Sequence, residues 1–435
     1  LRAAGDLPPH NFVCDSISLA IPSRWVSKIR DSWEVAMICR HVSLLIIFSL
    51  LMVALVGPVV RAAQQTPAPR VVDLSAPDGV ILKATFFAAA QPGPGVLLLH
   101  QCNRQRKVWD NLAGRLADSG INVMTVDFRG YGESGGQGPD KVSSVQEADQ
   151  IVKEQWPADI DVAFRYLQTQ PSVNRGVIGA GGASCGVNQA VQLARRHPEV
   201  KSLVLLSETT DRSGRQFLHN SPNLPLFLAA ADDDFNDPGV VEIMQWLYDV
   251  SPDPANKFVR YSTGGHGVDM IAAHPELPGM IVDWFNVTLR NSPAPPATHA
   301  LSPWSAESRF LALADEPDGM RKAEQMFANE RRADPSVVLF SEALINRFGY
   351  EHLAMGDTKV AIELFQMNVT AYPNSPNVYD SLGDAYLAAG QKDLARQNAQ
   401  KALELLATDT ADSPQRRDGI RGSAEQKLKQ LGNTQ

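Results

Sequence analysis

The sequence predicts an α/β domain built on a mostly parallel sheet, followed by an all-α repeat region, and three observations lead there. Between residues 71 and 290, short runs of Val, Ile and Leu alternate with helix-patterned stretches. Those runs are apolar at nearly every position, the pattern of strands buried on both faces of a sheet. Beyond residue 303 the text repeats itself with a period of 34 residues. The chain has 435 residues, 44% hydrophobic and 20% charged, enough for two or three ordinary globular domains. A net charge of −8 with no basic cluster argues against nucleic acid as a partner.

The elements follow in order. Residues 1–36 lack sustained periodicity and read as an over-extended leader, with a genuine disordered leader as the rival. Met37 opens a short basic stretch, and residues 42–56 are then apolar apart from Ser43 and Ser49. Gly57-Pro58 break the run, and Val60-Arg61-Ala62-Ala63 supply small residues for cleavage. Residues 37–63 are therefore expected to be a secretory signal peptide cut near Ala62/Ala63, giving an exported (periplasmic or secreted) protein. An uncleaved membrane anchor over residues 42–60 is the alternative. No Cys follows the apolar run, so a lipoprotein signal is not supported. Cleavage would remove Cys14 and Cys39 and leave Cys102 and Cys185, too few for a disulfide scaffold.

After a Pro/Gln-rich leader, strands are expected on either side of Ala-Pro-Asp-Gly at 76–79, a turn signal. Further strands fall at 95–100 (GVLLLH), 121–128, 176–181, 202–207, 224–230 and 257–262. Helices are expected at 109–116, 158–167, 187–196 and 240–248, with another running through 285. Residues 291–303 (NSPAPPATHALSP) have no hydrophobic period and read as a linker. In the last region Leu382-Gly383, Tyr386, Gly390, Ala395 and Ala402 follow Phe348-Gly349, His352, Gly356, Ala361 and Asn368 by 34 residues. This pattern resembles the tetratricopeptide repeat, a helix–turn–helix unit, with clear copies at 342–375 and 376–409. A degenerate copy around Ala323, Phe327 and Pro335 and a capping helix at 423–431 would complete a solenoid over 304–435.

Chemistry is carried by Gly182-Ala183-Ser184-Cys185-Gly186, where a strand runs into a helix. A G-x-S-x-G turn in that context lifts the serine clear of the sheet, and its glycines are needed because backbone and helix crowd together. Gly132-Glu133-Ser134-Gly135-Gly136 fits the same pattern, but no strand immediately precedes it and no helix immediately follows, so Ser184 is preferred. A serine nucleophile requires a base and a carboxylate to orient that base. The strand at 226–230 ends in Ala231-Asp232-Asp233-Asp234, which offers Asp234 as the acid and Asp233 as its rival. Thr263-Gly264-Gly265-His266-Gly267 follows the last strand and offers His266 as the base, with His274 as competitor.

With these residues in place, 71–290 resembles the α/β-hydrolase superfamily, most closely its dienelactone-hydrolase-like branch. Leu98-Leu99-His100, the segment Asp127-Phe128-Arg129-Gly130-Tyr131-Gly132-Glu133-Ser134, the Ser184 turn and Gly265-His266-Gly267 carry the resemblance. It implies that the segment around Ser134 shapes a loop and stands outside the triad. One departure matters: many members have His-Gly after the third strand, and this chain has His100-Gln101-Cys102. The implied oxyanion hole takes the backbone N–H of Cys185 and that of Cys102, with Gln101 the next candidate for the second. Two amides aimed at one oxygen bring Cys102 and Cys185 close, and export permits a disulfide between them; two buried thiols are the plainer alternative.

The expected activity is hydrolysis of a small carboxylic ester or lactone through an acyl-enzyme, needing no cofactor or metal. The stretch 208–223 is too short for a cap domain, so the site is expected to be shallow and open. The alternatives are a small peptidase, or a non-catalytic envelope scaffold that binds a protein partner through its repeats.

Overall fold

The computed structural model describes residues 65–234, 239–290, 304–316 and 318–432. The leader at 1–36, the signal segment at 37–63 and the linker at 291–303 lie outside the described residues.

The sheet has eight strands: β1 (Arg70–Ser75), β2 (Ile81–Phe87), β3 (Gly93–Leu99), β4 (Asn122–Val126), β5 (Val173–Ala183), β6 (Val200–Leu206), β7 (Leu226–Ala231) and β8 (Lys257–Tyr261). Their order is β1-β2-β4-β3-β5-β6-β7-β8. The β1–β2 and β2–β4 pairings are antiparallel and every other pairing is parallel.

Successive strand residues point to opposite faces, and both faces are covered. Leu97 and Leu99 join one core, whereas Val96 and Leu98 join the other. The same alternation separates Leu203 and Leu205 from Val204 and Leu206, and Leu226 and Leu228 from Phe227 and Ala229. This is why the strands read as unbroken apolar text.

Helices α1 (Asp110–Asp118), α2 (Val145–Gln150), α3 (Trp156–Thr169), α4 (Cys185–Arg196), α5 (Arg212–His219), α6 (Val240–Val250), α7 (Asp269–Ala273) and α8 (Leu277–Phe285) complete the α/β part. Trp156, Ile160 and Phe164 of α3, Val187 and Val191 of α4 and Ile243 of α6 pack in the first core. Leu112 and Leu116 of α1 and Ile281 and Phe285 of α8 pack in the second.

Among the described residues seven further α-helices follow: α9 (Ala306–Asp315), α10 (Met320–Ala333), α11 (Glu342–Ala354), α12 (Thr358–Ala371), α13 (Pro376–Ala388), α14 (Lys392–Leu406) and α15 (Pro414–Gly432). The pair α13/α14 starts 34 residues after the pair α11/α12, matching the period read from the sequence. Small residues admit close packing here: a Cβ on Gly349 would collide with the Phe365 ring.

The helical region shares a core with the sheet. Phe310, Phe340, Leu344 and Phe348 belong to the same continuous core as the sheet residues Leu97 and Leu228. At the seam Arg215 of α5 is 3% exposed. Its guanidinium carbon lies 5.6 and 4.9 Å from the ring centroids of Trp246 and Phe348, which pack edge-on against each other at 5.8 Å. Its guanidinium donates to Asp315 and to Glu351, each at 2.7 Å, and to the Thr210 carbonyl at 2.9 Å.

Candidate functional site

Ser184 stands at the junction of β5 and α4 with φ 51° and ψ −127°. A non-glycine residue at positive φ stores roughly 1–3 kcal/mol of strain, which the surrounding structure must hold. It is held here by hydrogen bonds from the Ser184 N–H to the Leu206 carbonyl at 2.9 Å and from the Val187 N–H to the Ser184 carbonyl at 2.7 Å. The flanking glycines are sterically required. A Cβ on Gly182 would overlap the Gly186 carbonyl, and one on Gly186 would lie 2.5 Å from the Leu99 carbonyl and 2.9 Å from that of His100. The turn thus presents Ser184 at the carboxyl edge of the sheet, with the α4 N-terminus, which favours negative charge, directly behind it.

Asp234 and His266 leave β7 and β8 at the same edge. His266 Nδ1 lies 2.7 Å from Asp234 Oδ2, and both residues are buried, at 8% and 5% exposure. The carboxylate holds the proton on Nδ1 and so makes Nε2 the basic nitrogen. Asp233 also reaches this loop but accepts the Gly265 N–H at 2.8 Å. His274 stacks on Tyr261 with centroids 3.6 Å apart and lies 2.6 Å from the Thr263 carbonyl, so it is occupied elsewhere. The residue after His266 reaches the Ser184 turn: a Cβ on Gly267 would sit 3.5 Å from the Ala183 Cβ.

Cys102 and Cys185 are joined by a disulfide, with Cα atoms 5.8 Å apart. Cys185 is the first residue of α4 and Cys102 lies in the loop after β3, the two places expected to supply oxyanion amides.

The second G-x-S-x-G serine is used structurally. Ser134 Oγ donates to the Asp127 carbonyl at 2.7 Å and accepts the Lys83 N–H at 2.9 Å. Asp127, fully buried, accepts the Arg106 N–H at 2.6 Å and the Glu133 N–H at 2.9 Å, and pairs with the Arg106 guanidinium. Lys107 and Arg106 together hold the Glu133 carboxyl down at about 2. This charged lattice stiffens the loop after β4.

The sequence does not reveal what packs beyond the end of β6. Arg347 of α11 donates to Glu208, two residues past the end of β6. A Cβ on Gly239, just after the acid's loop, would lie 3.2 Å from Ser341 Oγ and 3.5 Å from the Leu344 nitrogen. The helical region thus touches the loop after β6 and the start of α6. No local signal reveals a contact spanning 139 residues of sequence.

Residues 90–266 match a hydrolase family model described as serine aminopeptidase, S33. An uncharacterised protein of Mycobacterium tuberculosis, recorded in two strains, is 31% identical over 172 residues, which is 39% of this chain and 56% of that protein. The chain thus spans about half the length of the curated relatives it matches. Among solved structures, an esterase of Pyrococcus furiosus is 20% identical, with 51% of this chain and 93% of that one covered at a TM-score of 0.40. A dienelactone hydrolase of Anabaena variabilis is 17% identical, with 52% and 100% covered at a TM-score of 0.40. The match to this hydrolase family falls within the sheet-bearing part of the chain, and stacked helices follow it.

Proposed function

We propose that the chain is a serine hydrolase acting on a small carboxylic ester or lactone through an acyl-enzyme. The observation that carries this reading is the buried Asp234–His266 hydrogen bond at 2.7 Å, set at the same sheet edge as the positive-φ Ser184. Ser184 Oγ attacks the carbonyl carbon while His266 Nε2 takes its proton. The tetrahedral oxyanion is received by the N–H groups of Cys185 and Cys102. His266 then protonates the leaving oxygen, and the acyl-enzyme is hydrolysed by a water that His266 deprotonates. Each oxyanion donor is worth roughly 3 kcal/mol to the transition state.

A fluorophosphonate probe and a panel of chromogenic esters of varied acyl length test this on wild type and Ser184→Ala. Labelling and turnover that vanish in the variant are expected. A folded wild type that neither labels nor turns over any ester sinks the enzyme reading and favours the scaffold. The family description gives a peptidase as the second reading. Aminoacyl p-nitroanilides in the same panel decide it: faster turnover of these than of esters would replace the ester assignment.

The helical region, read as tetratricopeptide repeats, is proposed to dock a protein partner. Export is proposed on residues 37–63 alone, and N-terminal sequencing of the mature protein checks it by a start near Ala63. Among the described residues no helix is long and apolar enough to cross a membrane.

A further inference from the structure

The loop after β3 carries more than an oxyanion amide. His100, fully buried, receives the Phe128 N–H on Nε2 at 3.0 Å. Its proton therefore resides on Nδ1, which donates to the Gln101 carbonyl at 2.7 Å. Burial holds the His100 pKa below its usual value, so the ring stays neutral and this arrangement is kept. The Gln101 side chain, 1% exposed, extends in the other direction. Its Oε1 accepts the Val268 N–H at 2.9 Å, two residues beyond His266, and its Nε2 donates to Asn103 Oδ1 at 2.8 Å. Gly267 packs between Gln101 and Ala183, close to both. The next residue, Cys102, is bonded to Cys185, immediately after Ser184. Three consecutive residues are thus fastened to the end of β4, to the loop of the base and to the helix of the nucleophile.

We propose that Gln101 and the Cys102–Cys185 disulfide are positioning groups that lock the oxyanion loop, the His266 loop and the Ser184 turn into one register. The proposal rests on the triad reading of Ser184, Asp234 and His266. Its physical basis is preorganisation: oxyanion donors accelerate a reaction only if they stand in place before charge develops, and a shift of about 1 Å costs on the order of a hundredfold. Where related hydrolases have glycine, this chain has an amide whose oxygen holds the base's loop. The disulfide fastens the same stretch to the nucleophile's side.

Gln101→Met keeps volume but removes the acceptor for Val268, whereas Gln101→Glu keeps an acceptor there. On the best chromogenic ester, Gln101→Met is expected to lower kcat about tenfold to a hundredfold with KM within about twofold. The fluorophosphonate inactivation rate should fall in parallel, and Gln101→Glu should regain part of the loss. A purely structural residue would lower Tm and leave kcat of the folded enzyme alone, so Gln101→Met with kcat within twofold of wild type overturns the role of Gln101. For the disulfide, the Cys102→Ser/Cys185→Ser double variant is expected to lose at least tenfold in kcat. If that variant does not fold, phosphine reduction of folded wild type followed by the same inactivation assay replaces it. An unchanged rate after reduction overturns the role of the disulfide. A wild type that never labels defeats the triad reading itself, a result separable from an active wild type with indifferent variants.

Discussion

Arg215→Met is expected to destabilise the protein by about 3–5 kcal/mol, the usual cost of stranding a buried ion-pair partner. The residue is 3% exposed, so its charge is balanced almost entirely by protein groups. Asp315 receives two of its N–H groups, at 2.7 and 3.2 Å, and Glu351 receives two more, at 2.7 and 3.2 Å. Methionine keeps volume beside Trp246 and Phe348 but leaves Asp315 with the more distant Arg212 guanidinium at 3.9 Å, Glu351 with the Arg212 N–H at 2.9 Å, and the Thr210 carbonyl without its closest side-chain donor. Little of the penalty should come from packing, and most from the weakened pairing of buried charge. Urea unfolding followed by tryptophan fluorescence reads it directly, because Trp246 lines the seam. Wild type should unfold in one main transition, since one core runs through both the sheet and helices α9–α12. Adding Asp315→Asn and Glu351→Gln to Arg215→Met should restore at least half of the loss, because neutral replacements of a buried ion cluster are close to isoenergetic. A loss below about 1 kcal/mol, or no recovery in the triple variant, would refute the assignment of Arg215 as the electrostatic tie between the two parts.

Asp234→Asn should lower kcat by about 10³–10⁴-fold, as expected when the group orienting a catalytic histidine is neutralised. Asp233→Asn, which only weakens a bond to the Gly265 N–H, should cost no more than about tenfold, and equal losses in the two would break the assignment. Glu307 of α9 supplies a pH test. Burial first, then Glu242 and Asp249 of α6, push its carboxyl up from 4.5 to about 7. The folded state therefore keeps a proton that the unfolded chain releases above pH 4.5. This contribution to stability is complete below that pH and is lost as pH rises through about 7. Glu307→Gln should flatten the decline in urea midpoint across that window, and an unchanged slope would contradict the placement of this carboxyl.

Most of the fold was legible because its signals are local. Burial on both faces makes β3, β6 and β7 continuously apolar, and the 34-residue period is visible in the spacing of small and aromatic residues. The Ser184 turn was legible for the same reason, since only glycine fits where Gly182 and Gly186 meet backbone atoms. By itself, then, the sequence determined the strand–helix alternation, the strained turn and the chain order of serine, carboxylate and histidine. Tertiary structure decided which of two adjacent aspartates meets His266, because neighbouring side chains leave a strand end in different directions while looking alike in sequence. It decided that the Gln101 oxygen accepts the Val268 N–H, in a loop more than 160 residues away. It also decided that the helical region meets the loop after β6 through Arg347 and Glu208 and shares a core with the sheet beside Arg215. Such contacts arise from how the elements stack, and no residue pattern within either segment encodes them.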